Sequence, residues 1–389
     1  MIIRNATVLH ADRLESGADI RLDRGGIQQI GRSLEAASGE RVVDAEGLLA
    51  VPGLIDIHTH GLKSVSVQDG PLVEYSRLQL EQGVTGCVPT LYGSPETNRK
   101  RLPEAMSETR NLQDTPNILG FRPEIMYVTK TGAGSAASLS GIDQGTTQAL
   151  YDAAQGRIPV WDVSPELEGA IPFIRWARAK GIVVSLAHTE ATIEQTRAGV
   201  DAGLNLVTHL YDTFDLARQS DPGVYPAGVT DYVQIEDRLS VEIIPDGVHV
   251  HPFLVEKTLR CKGVERVVFV TDSLRGSGNP PGVYEGLAEG EQIRVTTDRG
   301  MRRLSDDALS GSCLTQLQSF RNAIRLFGRS VREAVALCSR NPARLLGLNK
   351  GCLAAGMDGD LILLGQELEL AATVLAGELV FHTGALSIH

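Results

Sequence analysis

The chain is poor in cysteine, in basic charge and in long apolar runs, and each shortage removes a class of protein. Its five cysteines, Cys87, Cys261, Cys313, Cys338 and Cys352, are scattered, odd in number and form no CxxC pair. That usage fits a reducing, cytoplasmic compartment rather than a disulfide framework. Lys and Arg number 37 against 48 Asp and Glu, a net charge of −11. Such a chain lacks the basic surface that sequence-independent nucleic-acid binding needs. No apolar stretch approaches the roughly 20 residues of a membrane-spanning helix. The opening MIIRNATVLHADRLESG has no long apolar core or small-residue cleavage site, so neither a membrane partner nor a signal peptide is expected. GxGxxG and P-loop patterns are missing, as are low-complexity tracts and solenoid-length repeats. There are two tryptophans, Trp161 and Trp176, expected to pack in the core rather than to stack on a sugar.

What is present is an ordinary globular composition, 42% hydrophobic and 22% charged, over 389 residues. That length suits a large domain of roughly 250 residues with a smaller one beside it. Both ends read as short strands separated by tight turns: Met1–His10, Asp19–Leu22, Arg41–Val43 and Leu48–Val51 at the start, Leu361–Leu364, Ala372–Leu375 and Glu378–Phe381 at the finish. Two strand-rich ends around a long middle predict one small sheet domain from residues 1–51 and 349–389. The middle, 52–348, alternates apolar runs with helical patterns. The runs are Leu54–Ile57, Gly86–Thr90, Ile118–Gly120, Val160–Val163, Ile182–Leu186, Leu204–Val207, Leu239–Ile244 and Arg266–Val270. About eight βα units in roughly 300 residues predict an α/β fold, a (β/α)8 TIM-like barrel, with an open doubly wound sheet as the alternative.

The nine histidines are unevenly placed. His58, His60, His188, His209, His249 and His251 follow apolar runs, while His10, His382 and His389 lie in the terminal segments. A lone histidine is more often structural than a ligand. Parallel strands, however, present active sites at their C-terminal ends, and a shared placement there favours function. In LIDIHTH, residues two apart share one face of a strand, so His58 and His60 point the same way. Two imidazoles on rigid backbone suit zinc, iron or a similar divalent ion. His188 in SLAHTEAT and His209 in LVTHLYD are placed to complete the set; Glu124 in GFRPEIMY would add an anionic, bridging ligand, although its spacing alone favours a surface carboxylate. Asp272 ends the run VVFVT, where a carboxylate can serve as general base towards an attacking water and then pass the proton to a leaving amine.

These segments together resemble the amidohydrolase superfamily and, within it, the N-acetylglucosamine-6-phosphate deacetylases. The resemblance is carried along nearly the whole chain by VPGLIDIHTHG, GVTGCVPTL, AHTEAT, THLYDTF, DGVHVHP, VTDSLRGSG, LSGSCLTQLQSFRN and KGCLAAGMDGDLILL. It implies a (β/α)8 barrel with a small β-sandwich formed by the N- and C-terminal segments, and metal-dependent removal of an acetyl group from an N-acetyl amino sugar. It implies one or two divalent ions, zinc first, with iron, manganese or cobalt as alternatives. Glu124, His188 and His209 would be the primary metal ligands, His58 and His60 would hold a second ion, Asp272 would be the catalytic base, and His249 would touch substrate. A small-molecule substrate and a homodimer are implied as partners.

The substrate-reading residues depart from the family pattern. Around the metal glutamate, HLEGPF becomes Phe121-Arg122-Pro123-Glu124-Ile125-Met126-Tyr127. The following loop, Lys130–Ala136, lacks the family's histidine. Where the family has an amide after the last metal histidine, this chain has Asp212, followed by Thr213. The phosphate-binding arginine falls at Ser220, with Arg218 two residues earlier. Serine cannot reproduce the bidentate contact that arginine gives a phosphate. Arg122, Lys63 and Arg218 are therefore alternative anion-binding candidates, and Asp212 could instead accept from sugar hydroxyls or pair with an amine. The reading is an amide hydrolase acting on an N-acetyl amino sugar. The alternatives are hydrolysis of another small amide (unphosphorylated N-acyl amino sugar, cyclic amide or N-acyl amino acid) and a non-catalytic sugar- or metal-binding relative.

Overall fold

A computed structural model describes residues 1–389 except 112, 215–216, 218–220, 287–289 and 385. Eight parallel strands surround its centre: β1 (Leu54–Thr59), β2 (Val84–Leu91), β3 (Arg122–Pro123), β4 (Val160–Val163), β5 (Val183–Leu186), β6 (Leu206–Val207), β7 (Ser240–Ile243) and β8 (Val267–Phe269). Hydrogen bonds cross both seams and close the ring. Asp272 N–H donates to His58 O at 2.9 Å and His60 N–H to Ser273 O at 2.7 Å, while Phe121 N–H donates to Arg157 O at 2.9 Å. A helix follows each strand, from Leu72–Leu80 after β1 to Gln316–Arg325 after β8. The architecture is thus the (β/α)8 barrel expected from the alternating pattern.

One expected strand is displaced. The run Ile118–Gly120 makes a single bridge, between Ile118 and Cys87, and pairing resumes at Arg122–Pro123. A Cβ at Gly120 (φ 157°) would lie 2.7 Å from the Arg157 carbonyl oxygen, so only glycine lets the two neighbouring segments approach this closely.

The barrel interior is layered. Val160, Val183, Leu206 and Val268 belong to one apolar cluster. Two residues further along β4 and β5, and likewise after β6, stand Asp162, Ser185 and Thr208, all buried. Trp161 faces outward, fully buried, with its ring 6.0 Å from Tyr127 and nearly parallel to it. It is a packing residue, as expected. Cys87 and Cys338 are buried as well.

The terminal segments form a nine-stranded sheet that forks at Ile2–Leu9. Residues 2–4 pair in parallel with Val42–Asp44, whereas residues 7–8 pair in parallel with Leu49–Pro52. The fork lets one sheet fold over its own core of Ile3, Val8, Ile20, Leu22, Leu361 and Leu363, giving the small β-sandwich. Leu361–Leu364 joins the two ends by pairing antiparallel with Leu49–Pro52. A further three-stranded antiparallel sheet, Gly282–Glu285, Gln292–Val295 and Met301–Arg303, follows β8. Among the described residues no helix is long and apolar enough to cross a membrane.

Candidate metal centre

Four imidazoles and two carboxylates meet at the C-terminal end of the barrel. β1 carries His58 and His60; Glu124 follows β3, His188 follows β5, His209 follows β6 and Asp272 follows β8. His58 Nε2 lies 3.2 Å from Glu124 Oε1 and 3.5 Å from Asp272 Oδ1. His60 Nε2 lies 3.2 Å from Glu124 Oε2 and 3.1 Å from Asp272 Oδ1. His188 Nε2 is 3.2 Å from both Glu124 Oε1 and His209 Nε2, and His209 Nε2 is 3.4 Å from Glu124 Oε1. Two overlapping groups could each hold an ion: His58 with His60 and Asp272, and His58 with Glu124 and His209.

The hydrogen bonds on the far side of two rings decide what the near side offers. His60 Nδ1 sits 2.8 Å from the Thr90 carbonyl and His58 Nδ1 3.1 Å from Glu242 Oε2. Both partners accept only, so each Nδ1 carries a proton, and a ring without a second proton turns an Nε2 lone pair towards carboxylate oxygens. At 3.1–3.5 Å from a carboxylate oxygen, Nε2 either carries a proton itself or shares a cation with that oxygen. His58 Nε2 is buried without a hydrogen-bond partner among the described residues, which is what a ligand atom requires. The nitrogen and oxygen donor set suits zinc or another borderline divalent ion.

Without an ion, the same carboxylates favour the protonated rings. Burial would push the His60 imidazole down, but the Glu124 and Asp272 carboxylates outweigh it and hold it at about 10. His209 is likewise held at about 10, against burial, chiefly by Glu124. Burial would raise Asp272, yet His60, His58 and His209 bring it down to about 2. The cluster is a negative hollow that retains positive charge.

Backbone strain concentrates here. His188 (φ 45°), His209 (φ 24°), Tyr211 (φ 85°), Thr213 (φ 58°) and Asp272 (φ 48°) all adopt left-handed backbone, at a cost of order 1–3 kcal/mol each. Such outliers persist where surrounding structure over-determines them.

The centre floors a cavity of about 230 Å³ lined also by Asp212, Thr213, His249 and the Gly132–Gly134 turn. His249 Nδ1 is 2.6 Å from Asp246 Oδ2. Of the other expected substrate groups, Lys63 lies outside this lining, its Nζ 3.5 Å from Glu81 Oε2. Arg218, like Ser220, lies outside the described residues. Arg122 is fully buried below the centre among carboxylates, so its candidacy as an anion site is overturned. His251 shares a strand-end position with the other histidines but caps a helix, accepting from Phe253 N–H at 3.2 Å. Three participants were not singled out from sequence: Glu242, Asp162 and Arg303. Arg303 is the Lys or Arg side chain that lines the cavity among the described residues. Asp306 grips it at 3.1 and 2.6 Å, and its Nη1 donates to Ala133 O at 3.3 Å.

The model of the Amidohydrolase family matches residues 49–380. The chain is 30% identical to an N-acetylglucosamine-6-phosphate deacetylase of Lysinibacillus sphaericus, covering 98% of each chain. It is also 30% identical to an N-acetylgalactosamine-6-phosphate deacetylase of Escherichia coli O157:H7, covering 87% of this chain and 89% of that one. Among solved structures, a variant N-acetyl-D-glucosamine-6-phosphate deacetylase of Mycobacterium smegmatis, in complex with N-acetyl-D-glucosamine-6-phosphate, superposes with a TM-score of 0.86. It is 28% identical, over 98% of this chain and 99% of that chain.

Proposed function

Since the chain belongs to the amidohydrolase family, we propose that it removes the acyl group from an N-acetyl amino sugar with a divalent metal and Asp272 as general base. The observation that carries this reading is the convergence of four Nε2 atoms on Glu124, with His60, His188, His209, Glu124 and Asp272 lining one cavity. Glu124, His188 and His209 would hold the primary ion, and His58 and His60 a second. A divalent ion held by these residues would polarise the acyl oxygen and lower the pKa of water. Asp272, with Oδ1 beside His60, accepts the proton of the attacking water and delivers it to the departing amine. His249, oriented by Asp246, faces the substrate, and Asp212 and Thr213 offer hydrogen-bonding groups to sugar hydroxyls.

Arg303 supports a phosphorylated sugar. Beyond its contacts to Asp306 and Ala133, two of its five N–H groups remain to meet an anion. Asp212 in the same lining favours the second reading, an unphosphorylated or differently substituted small amide. Metal-supplemented acetate release distinguishes them, using N-acetylglucosamine-6-phosphate, its galactose epimer, both unphosphorylated sugars and a few N-acyl amino acids. Preference for the 6-phosphates that disappears in Arg303→Ala supports the first reading. Turnover confined to other members supports the second, and none at all would leave a sugar- or metal-binding role.

Zinc as the ion, a cytoplasmic homodimer as the assembly, and a division into residues 1–51 with 349–389 around a 52–348 barrel belong to the same proposal. Metal analysis, light scattering, fractionation and limited proteolysis test them in turn.

A further inference from the structure

Beneath the histidines lies a buried charge network that the proposed reaction does not itself use. Arg122 donates through Nε and Nη2 to Asp162 at 2.7 and 2.8 Å, through Nη1 to Glu242 Oε1 at 2.6 Å and Ile57 O at 3.0 Å, and through Nη2 to Thr208 Oγ1 at 2.9 Å. Arg122, Asp162 and Glu242 are all fully buried. Glu242 differs from Asp162 in what its second oxygen does. Oε2 lies 3.1 Å from His58 Nδ1 and accepts from the His209 amide at 3.4 Å. It thereby ties the ring of one strand-end histidine to the backbone of another. A carboxylate on Nδ1 fixes the tautomer, aims the Nε2 lone pair and makes the imidazole a stronger donor to metal.

We infer that Glu242, clamped by Arg122, is a positioning residue that makes His58 a working ligand of a second divalent ion shared with His60 and Asp272. The inference rests on the metal-dependent reading above. Asp162 supplies an internal control, because it holds the same arginine without touching a histidine.

Equilibrium dialysis against Co²⁺ without substrate, with metal counted by elemental analysis, reads the inference directly. Wild-type protein should bind two ions per chain. Glu242→Gln should weaken the second by about 10- to 100-fold, Glu242→Asp should recover part of that loss, and Asp162→Asn should keep both ions whatever its stability. Unchanged affinity in Glu242→Gln, or equal loss in Asp162→Asn, overturns the positioning role. One ion per wild-type chain overturns the second site while leaving one-metal turnover, and so the proposed activity, standing. Should Glu242→Gln fail to fold, ¹⁵N-histidine spectra of the zinc-loaded wild type suffice: the His58 proton belongs on Nδ1, and a proton on Nε2 overturns the inference.

Discussion

His58 and His60 stand two residues apart on one strand, their backbone outside the left-handed set and their Nδ1 atoms held by Glu242 and Thr90. His188 and His209 come from two strands, turn through left-handed backbone, and leave both Nδ1 atoms without a hydrogen-bond partner among the described residues. Both pairs deliver Nε2 to the same carboxylate, Glu124. The first pair is aimed by its side-chain environment and the second by its main chain. The orientation a metal site needs can therefore be stored in either place, and the two storage modes respond to different perturbations.

The largest expected effect concerns Asp272, which sits near His58 and His60 rather than the later pair. Asp272→Asn should lower kcat by about 10²–10⁴ in steady-state assays while elemental analysis still finds the primary ion, whose ligands are Glu124, His188 and His209. An unchanged rate would remove Asp272 from the chemistry. Next, His209→Ala should release the primary ion, because it deletes one of the ligands converging on Glu124 Oε1; elemental analysis showing full occupancy would contradict the assignment.

A smaller effect tests the two storage modes themselves. In metal-free protein His209→Gly should be more stable than His209→Ala by about 1 kcal/mol, since glycine relieves the left-handed backbone. At His58 the order should reverse by about 0.5–1 kcal/mol, because glycine weakens a regular strand. Urea unfolding of the four variants reads both signs, and the same order at both positions would dissolve the distinction. Last and smallest, Lys63→Ala should change kcat/KM by less than about twofold on any substrate, as expected of a half-buried pair to Glu81 that lies outside the cavity.

The same contrast explains what could be read from the sequence. The HxH pair is legible because strand periodicity alone puts both rings on one face. His188, His209, Glu124 and Asp272 are legible only as a set, through their common place after apolar runs, since the left-handed turns that aim three of them leave no pattern in the residue types. Glu242 and Asp162 were passed over although each interrupts an apolar run with a charge. Their partner Arg122 lies 120 and 40 residues away in sequence, so the neutralisation that permits burial appears only in three dimensions. Arg303 is hidden for another reason: its strand, Met301–Arg303, has three residues, and its neighbour Gln292–Val295 alternates exposed with buried over only four.

The forked terminal sheet has a consequence for how the molecule is made. Leu49–Pro52 pairs on one side with Ile2–Leu9 and on the other with Leu361–Leu364. At roughly 5–20 residues per second, a ribosome needs about 15–60 s to travel from one partner to the other. During that interval the early strand presents an open, apolar edge, Leu49, Ala50 and Val51 included, while the barrel is being synthesised. The first strands to emerge are thus among the last to be completed, and this edge is where a nascent chain would most readily recruit a chaperone or a neighbouring copy.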